Sequence, residues 1–236
     1  MVEQGLAQTQ EEAGKRILAG ELLVDDRPAD KPGTPTAPTA RLRLRGEAMP
    51  YVSRGGLKLA GALDHFGVAP SGRAAADLGA STGGFTDCLL QRGAARVFAV
   101  DVGYGQLAWR LRCDPRVVVM DRTNARALRA LPEPIDLVVG DLSFIGLRLV
   151  LPAVAALLAG GGEAVLLIKP QFEAEGEGLE PGGLVADPLQ RAAIIEKVLG
   201  EAVEAGFEVL GTVDSSLRGA RSGNLEALVH LRWVAR

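Results

Sequence analysis

Residues that build covalent frameworks and metal centres are scarce in this chain. It has two cysteines, Cys88 and Cys113, and two histidines, His65 and His230, in 236 residues. Two lone cysteines cannot form a disulfide framework, and no Cys/His cluster has the spacing of a zinc site. No apolar run approaches the roughly 20 residues that a membrane-spanning helix needs. The opening MVEQGLAQTQEEAGKRILAG lacks the basic-then-apolar layout of a secretory signal. An excess of basic charge is missing too: the net charge is −3, which argues against a polybasic protein. Local basic patches can still meet nucleic acid. These absences predict a protein of a reducing compartment, the cytoplasm.

What is present suits a globular chain. With 47% hydrophobic and 23% charged residues, it can bury a core as one large domain, or as one domain with a small module. The first 46 residues differ in texture from the rest. LAQTQEEAGKRILAG predicts a helix, with Thr9 as N-cap, Glu12 three positions on, and Gly20 as its stop. A short strand and a turn follow in ELLVDDRPADKPG. In TARLRLRGE, a strand's two-residue period puts Arg41, Arg43 and Arg45 on one face and Leu42 and Leu44 on the other. The segment carries as many acidic as basic residues, seven of each, so the clustering of arginines is its one suggestive feature. A solvated strand face is the plain alternative. GEAMPYVSRGG reads as a connector, which gives domains of 1–46 and 56–236 joined by a linker of 47–55.

Beyond it, apolar strands alternate with helical stretches. The strands are RAAADLG, ARVFAVD, RVVVM, IDLVVGD, EAVLLIK, FEVLGTV and LEALVHLRW. That alternation predicts an α/β fold with a mostly parallel sheet covered on both faces. Ligands of such sheets bind at the carboxyl ends of the strands. The first strand runs into DLGASTGGFTD, a glycine-rich turn comprising Gly79, Ser81, Thr82, Gly83 and Gly84, with Asp77 ahead of it. Neither G-x-G-x-x-G nor the phosphate loop's G-K-[ST] is present. The turn suits a small zwitterion carrying a nucleoside. Asp101 ends the second strand 22 residues after Gly79, where a carboxylate can accept hydrogen bonds from two ribose hydroxyls. At the third strand's end, Asp121 or Asn124 can read an adenine edge or simply cap the next turn.

Four ionisable residues belong to the same strand mouths. Asp141 ends the fourth strand in GDLSF, and Lys169 ends the fifth in IKPQF. Lys58 lies on the helix before the first strand, and Glu226 begins the last strand in GNLEALVHL. Each alone has an ordinary structural explanation, such as an ion pair. Together they are two lysines and two carboxylates around one crevice.

YVSRGGLKL, DLGASTGGFTD, DLSFI, IKPQFE and GNLEAL, in that order, resemble the hemolysin A/TlyA family of ribosomal RNA methyltransferases, a branch of the FtsJ-like 2′-O-methyltransferases. The resemblance covers nearly the whole chain. It implies a Rossmann-like class I fold with a mostly parallel seven-stranded sheet, S-adenosylmethionine as cofactor, and ribosomal RNA, at cytidines, as substrate. It also implies a Lys-Asp-Lys-Glu catalytic tetrad at Lys58, Asp141, Lys169 and Glu226. The first 46 residues resemble the family's S-four-like RNA-binding module, with a shorter opening than its relatives. Lys15, Arg16, Arg41, Arg43 and Arg45 are its expected phosphate contacts.

The chemistry assigns roles. A ribose hydroxyl must lose a proton as it attacks a sulfonium methyl, so the enzyme has to position two reactants and supply a proton acceptor. Lys169 is the expected acceptor. Burial and the neighbouring Lys58 would lower its pKa, and Asp141 would oppose that while orienting it. Glu226 would hold Lys58 or the ribose. The glycine-rich QFEAEGEGLEPGGLVADP is a lid or a surface loop. Two other readings are an assembly factor that binds RNA without catalysis, which the intact Lys58, Asp141 and Lys169 disfavour, and a haemolysin, which the lack of a membrane segment disfavours.

Overall fold

The structure is a computed structural model that describes the chain except residues 25–26, 38–39, 41, 46–48, 175–177, 220–221 and 235–236. The described chain forms two compact units, Met1–Met49 and Pro50–Arg236. Residues 50–55, expected as linker, belong to the second unit. Gln91 donates to the Pro50 carbonyl, and the Val52 N–H donates to Asp87.

In the first unit, helix α1 (Gln10–Leu18) starts on Thr9, whose hydroxyl accepts from the Glu12 N–H at 3.1 Å. The Glu12 carboxylate reaches back to the Gln8 N–H at 2.7 Å, a capping box shifted by one residue. Gly20, at φ +69°, ends the helix. Its N–H bonds to the Ile17 carbonyl, and that of Glu21 to Arg16, which satisfies carbonyls left without helical partners. Strands β1 (Leu22–Val24), β2 (Arg27–Ala29) and β3 (Leu42–Leu44) form an antiparallel sheet in the order β2-β1-β3. Leu22 and Leu23 are buried. Pro28 sits on the edge strand, where no second ladder needs its missing N–H.

The second unit holds every strand anticipated from the alternation: β4 (Ala74–Leu78), β5 (Arg96–Val100), β6 (Val117–Met120), β7 (Ile135–Gly140), β8 (Leu158–Ile168), β9 (Phe207–Asp214) and β10 (Ala227–Trp233). They form one sheet in the order β6-β5-β4-β7-β8-β10-β9, parallel throughout except that β10 runs against both its neighbours. Burial on both sides explains the unbroken apolar runs. In β8, Ala164, Leu166 and Ile168 join one core while Val165 and Leu167 join the other. Helices α2 (Gly55–Phe66) and α3 (Gly84–Gln91) contribute to the second core, and α5 (Leu151–Leu157) and α7 (Pro188–Glu204) to the first; the shorter helices are α4 (Trp109–Arg112) and α6 (Pro170–Glu173).

The functional consequence is one sheet edge. Strands β4, β5, β7 and β8 all end there, and antiparallel β10 begins there, because Ala227 pairs with Ile168 at the end of β8. Residues 79–84, Asp101, Asp141, Lys169 and Glu226 are therefore gathered from chain positions far apart. Among the described residues, no helix is long and apolar enough to cross a membrane, and no cluster of three His, Cys, Asp or Glu could hold a metal.

Candidate active site

Two cavities adjoin at this edge. The first, about 430 Å³, is lined by Gly79, Ser81, Asp101, Asn124, Asp141 and the apolar Leu142, Ile145 and Val150, among others. The second, about 360 Å³, includes Lys58, Thr82, Gly84, Asp141, Ser143 and Lys169. Gly79, Ser81, Asp141 and Ser143 border both, so the two form one crevice with Asp141 at the junction.

The three glycines of the turn do different things. Gly79, at φ +83°, faces the crevice, and a Cβ there would stand 2.8 Å from the Asp141 carbonyl oxygen. Gly83, at φ +99°, lines neither cavity; a Cβ would meet Leu111 and Leu107 at 2.3 and 2.7 Å. At Gly84 it would meet Ser53 Oγ at 2.2 Å. Gly84 still lines the second cavity, whereas Gly83 is small so that Leu107 and Leu111 can pack on it. Ser81 (φ +48°) and Phe144 (φ +64°), both bordering the first cavity, hold left-handed backbone that non-glycine residues rarely adopt.

The carboxylates also separate. Asp77 is fully buried and lines neither cavity. Its Oδ2 accepts from the Thr86 N–H (2.8 Å) and hydroxyl (2.7 Å), while Oδ1 has no partner. Burial pushes its pKa up to about 7, against the pull of the two Thr86 bonds. Asp77 thus braces the start of α3 instead of facing the crevice. Asp101 does face it, held by the N–H groups of Ser81 (2.8 Å) and Gly103 (2.6 Å). Asp121 is outside the lining, clamped at 3.0 Å by both terminal nitrogens of Arg112, whose hydrogen bonds hold its pKa below the ordinary carboxylate range. Asn124 lines the first cavity, and its Oδ1 accepts from the Arg126 N–H, so its capping role is present.

The four tetrad positions form two ion pairs. Lys58, buried on α2, pairs with Glu226, whose side chain is 3% exposed. Lys169 Nζ lies 2.5 Å from Asp141 Oδ1 and donates to Ser143 Oγ at 2.8 Å. Lys58, Lys169 and Asp141 line the second cavity; Glu226 does not. Glu226 therefore holds Lys58, one of its two expected roles.

Three polar residues escaped the sequence reading because their partners are distant in the chain. Ser143 is one. Asp87, 4% exposed, takes the Val52 N–H and an ion pair from Arg110, tying residues 50–54 to α3. Asn224, 1% exposed, accepts from the Val185 N–H (2.8 Å) and donates to the Gly183 carbonyl (2.8 Å). The 183–185 part of the glycine-rich loop is thereby fastened next to Glu226.

In the first unit, the structure describes three of the expected phosphate contacts, Lys15, Arg16 and Arg45. Lys15 and Arg16 are paired with Glu11 (2.7 Å) and Glu12 (2.8 Å) on their own helix. Arg45 is exposed and lies just past the end of β3. Arg41 and the Arg43 side chain lie outside the described residues.

The family model described as FtsJ-like methyltransferase matches residues 51–233. The chain is 48% identical over 235 residues to the 16S/23S rRNA (cytidine-2′-O)-methyltransferase TlyA of Mycobacterium tuberculosis, covering 98% of this chain and 87% of that protein. It is 35% identical over 230 residues to Hemolysin A of Brachyspira hyodysenteriae, covering 96% and 95%. Its fold matches a solved structure described as "Putative hemolysin from Streptococcus thermophilus" with a TM-score of 0.79 at 42% identity, covering 98% of this chain and 86% of the other.

Proposed function

The chain belongs to the FtsJ-like methyltransferase family, in its TlyA branch, and on that premise we propose that it methylates the ribose 2′-hydroxyl of cytidine in ribosomal RNA. The cofactor is S-adenosylmethionine, which supplies a methyl group already activated on a sulfonium. The crevice fits it. Asp101 offers free lone pairs for ribose hydroxyls, Leu142, Ile145 and Val150 give apolar walls for a base, and Asp141 offers a carboxylate for a cationic end. A cavity of this volume is of the size that takes small ligands.

The carrying observation is Lys169. Its amine stands in the second cavity, at the junction with the first, between Asp141 and Ser143. We assign it the proton of the 2′-hydroxyl. Asp141 orients it, and the Glu226-bound Lys58 places a second cation in the same cavity. Positioning contributes the larger share, roughly 7–11 kcal/mol in well-held systems, against about 10²–10⁴-fold from a placed base.

The substrate is RNA because a 2′-hydroxyl is present at each of its nucleotides. Residues 1–46 serve as the RNA-positioning module through Lys15, Arg16, Arg41, Arg43 and Arg45, acting in the cytoplasm on ribosomal subunits. Mapping 2′-O-methylation on ribosomal RNA from cells with and without this protein tests the proposal. Cytidine marks that vanish with the protein support it, and an unchanged pattern refutes it.

A further inference from the structure

We propose that Ser143 is a positioning residue that fixes the direction of the lone pair on Lys169. The inference rests on the assignment of Lys169 as proton acceptor.

A neutral lysine amine has two N–H bonds and one lone pair, in tetrahedral directions around Nζ. Ser143 Oγ at 2.8 Å accepts a hydrogen bond from the amine, and Asp141 Oδ1, 2.5 Å from Nζ, is an ion-pair contact without hydrogen-bond geometry. Ser143 engages one N–H and the Asp141 carboxylate repels the lone pair, so the lone pair takes the direction away from both oxygens. Asp141 alone would leave two positions for the second N–H and the lone pair to exchange, and the exchange would point an N–H at the hydroxyl that has to be deprotonated. Ser143 removes that choice. In the proton transfer, the O–H bond of the ribose breaks as an N–H bond forms, and Lys169 becomes an ammonium held by the Ser143 hydrogen bond and the Asp141 ion pair.

The backbone is arranged for this contact. Asp141 and Ser143 are two residues apart after β7, and the next residue, Phe144, turns the chain at φ +64°. Strain at this position is consistent with the loop's being held for function. Ser143 is exposed on the lip of the crevice and contributes nothing to either core, so stability gives no reason for a serine here.

The test is steady-state kinetics of Ser143→Ala and Ser143→Thr on ribosomal subunits, with calorimetric binding of S-adenosylhomocysteine as the readout independent of turnover. Removing one hydrogen bond of this kind should lower kcat about 3- to 10-fold. KM for RNA and Kd for S-adenosylhomocysteine should stay within about twofold, and threonine, which keeps the hydroxyl, should restore most of the rate. An unchanged kcat in Ser143→Ala overturns the proposal. So does a rise in KM or Kd at constant kcat, because Ser143 would then be a binding contact. Lys169→Ala, run alongside, separates the two levels. Turnover in that variant defeats the assignment of the base, whereas a silent Lys169→Ala beside an unaffected Ser143→Ala defeats the positioning role alone.

Discussion

Lys58 and Glu226, 168 positions apart in the chain, close a buried ion pair at the sheet edge, and only Lys58 faces the cavity. The tetrad is therefore two dyads. One is buried and holds a cation in place; the other, Lys169 with Asp141, is open to the crevice. Removing one partner of a buried pair leaves an uncompensated charge and typically costs about 3–5 kcal/mol. Glu226→Ala should lower unfolding stability by that order, measured in urea, as well as lowering turnover. Lys169→Ala should cost less, because the Asp141 it leaves unpaired is 26% exposed at the crevice.

Asp101 binds two backbone N–H groups and has lone pairs to spare. Asp101→Ala should weaken S-adenosylmethionine binding by about 1–3 kcal/mol, measured by calorimetry. Unchanged affinity would remove Asp101 from the cofactor site.

Asp77 predicts a pH dependence of stability. Its folded-state pKa, about 7, lies above the ordinary 3.8, so the folded protein binds a proton the unfolded chain gives up. Its stabilising contribution is complete below pH 3.8 and is lost as pH rises through about 7. Asp77→Asn should flatten this part of the Tm-versus-pH curve, most visibly between pH 3.8 and about 7. An unchanged slope would show that Asp77 is ionised throughout.

The sheet was legible in the sequence because each strand is an apolar run buried on both faces, bounded by glycine, aspartate or lysine at the crevice. Asp101, Asp141 and Lys169 were legible for the same reason, since a charge at the end of a buried strand stands out. The difference between Gly79 and Gly83 was not, because it depends on Leu107 and Leu111, which reach Gly83 from a later segment. Nor was Asp121, whose Arg112 clamp is a tertiary contact. Asn224 looked like any polar residue before a strand; its partners are 39 and 41 positions away.

The arginine strand of the first unit yields a salt-dependence prediction. Replacing Arg41, Arg43 and Arg45 together with Gln should weaken binding to ribosomal RNA. It should also flatten the log–log salt dependence by up to about 0.7–0.9 per lost phosphate contact. Binding with unchanged affinity and slope would make these residues a solvated face.

The most direct measurement is methyl transfer from S-adenosylmethionine to ribosomal subunits by the purified protein and by Lys169→Ala, with the modified nucleotide mapped and S-adenosylhomocysteine affinity measured on both. The account predicts a cytidine 2′-O-methyl mark from the wild-type chain. It predicts at least about a hundredfold slower transfer from Lys169→Ala, with the affinity preserved. No mark from the wild-type chain, or a comparable rate from the folded variant, would contradict it.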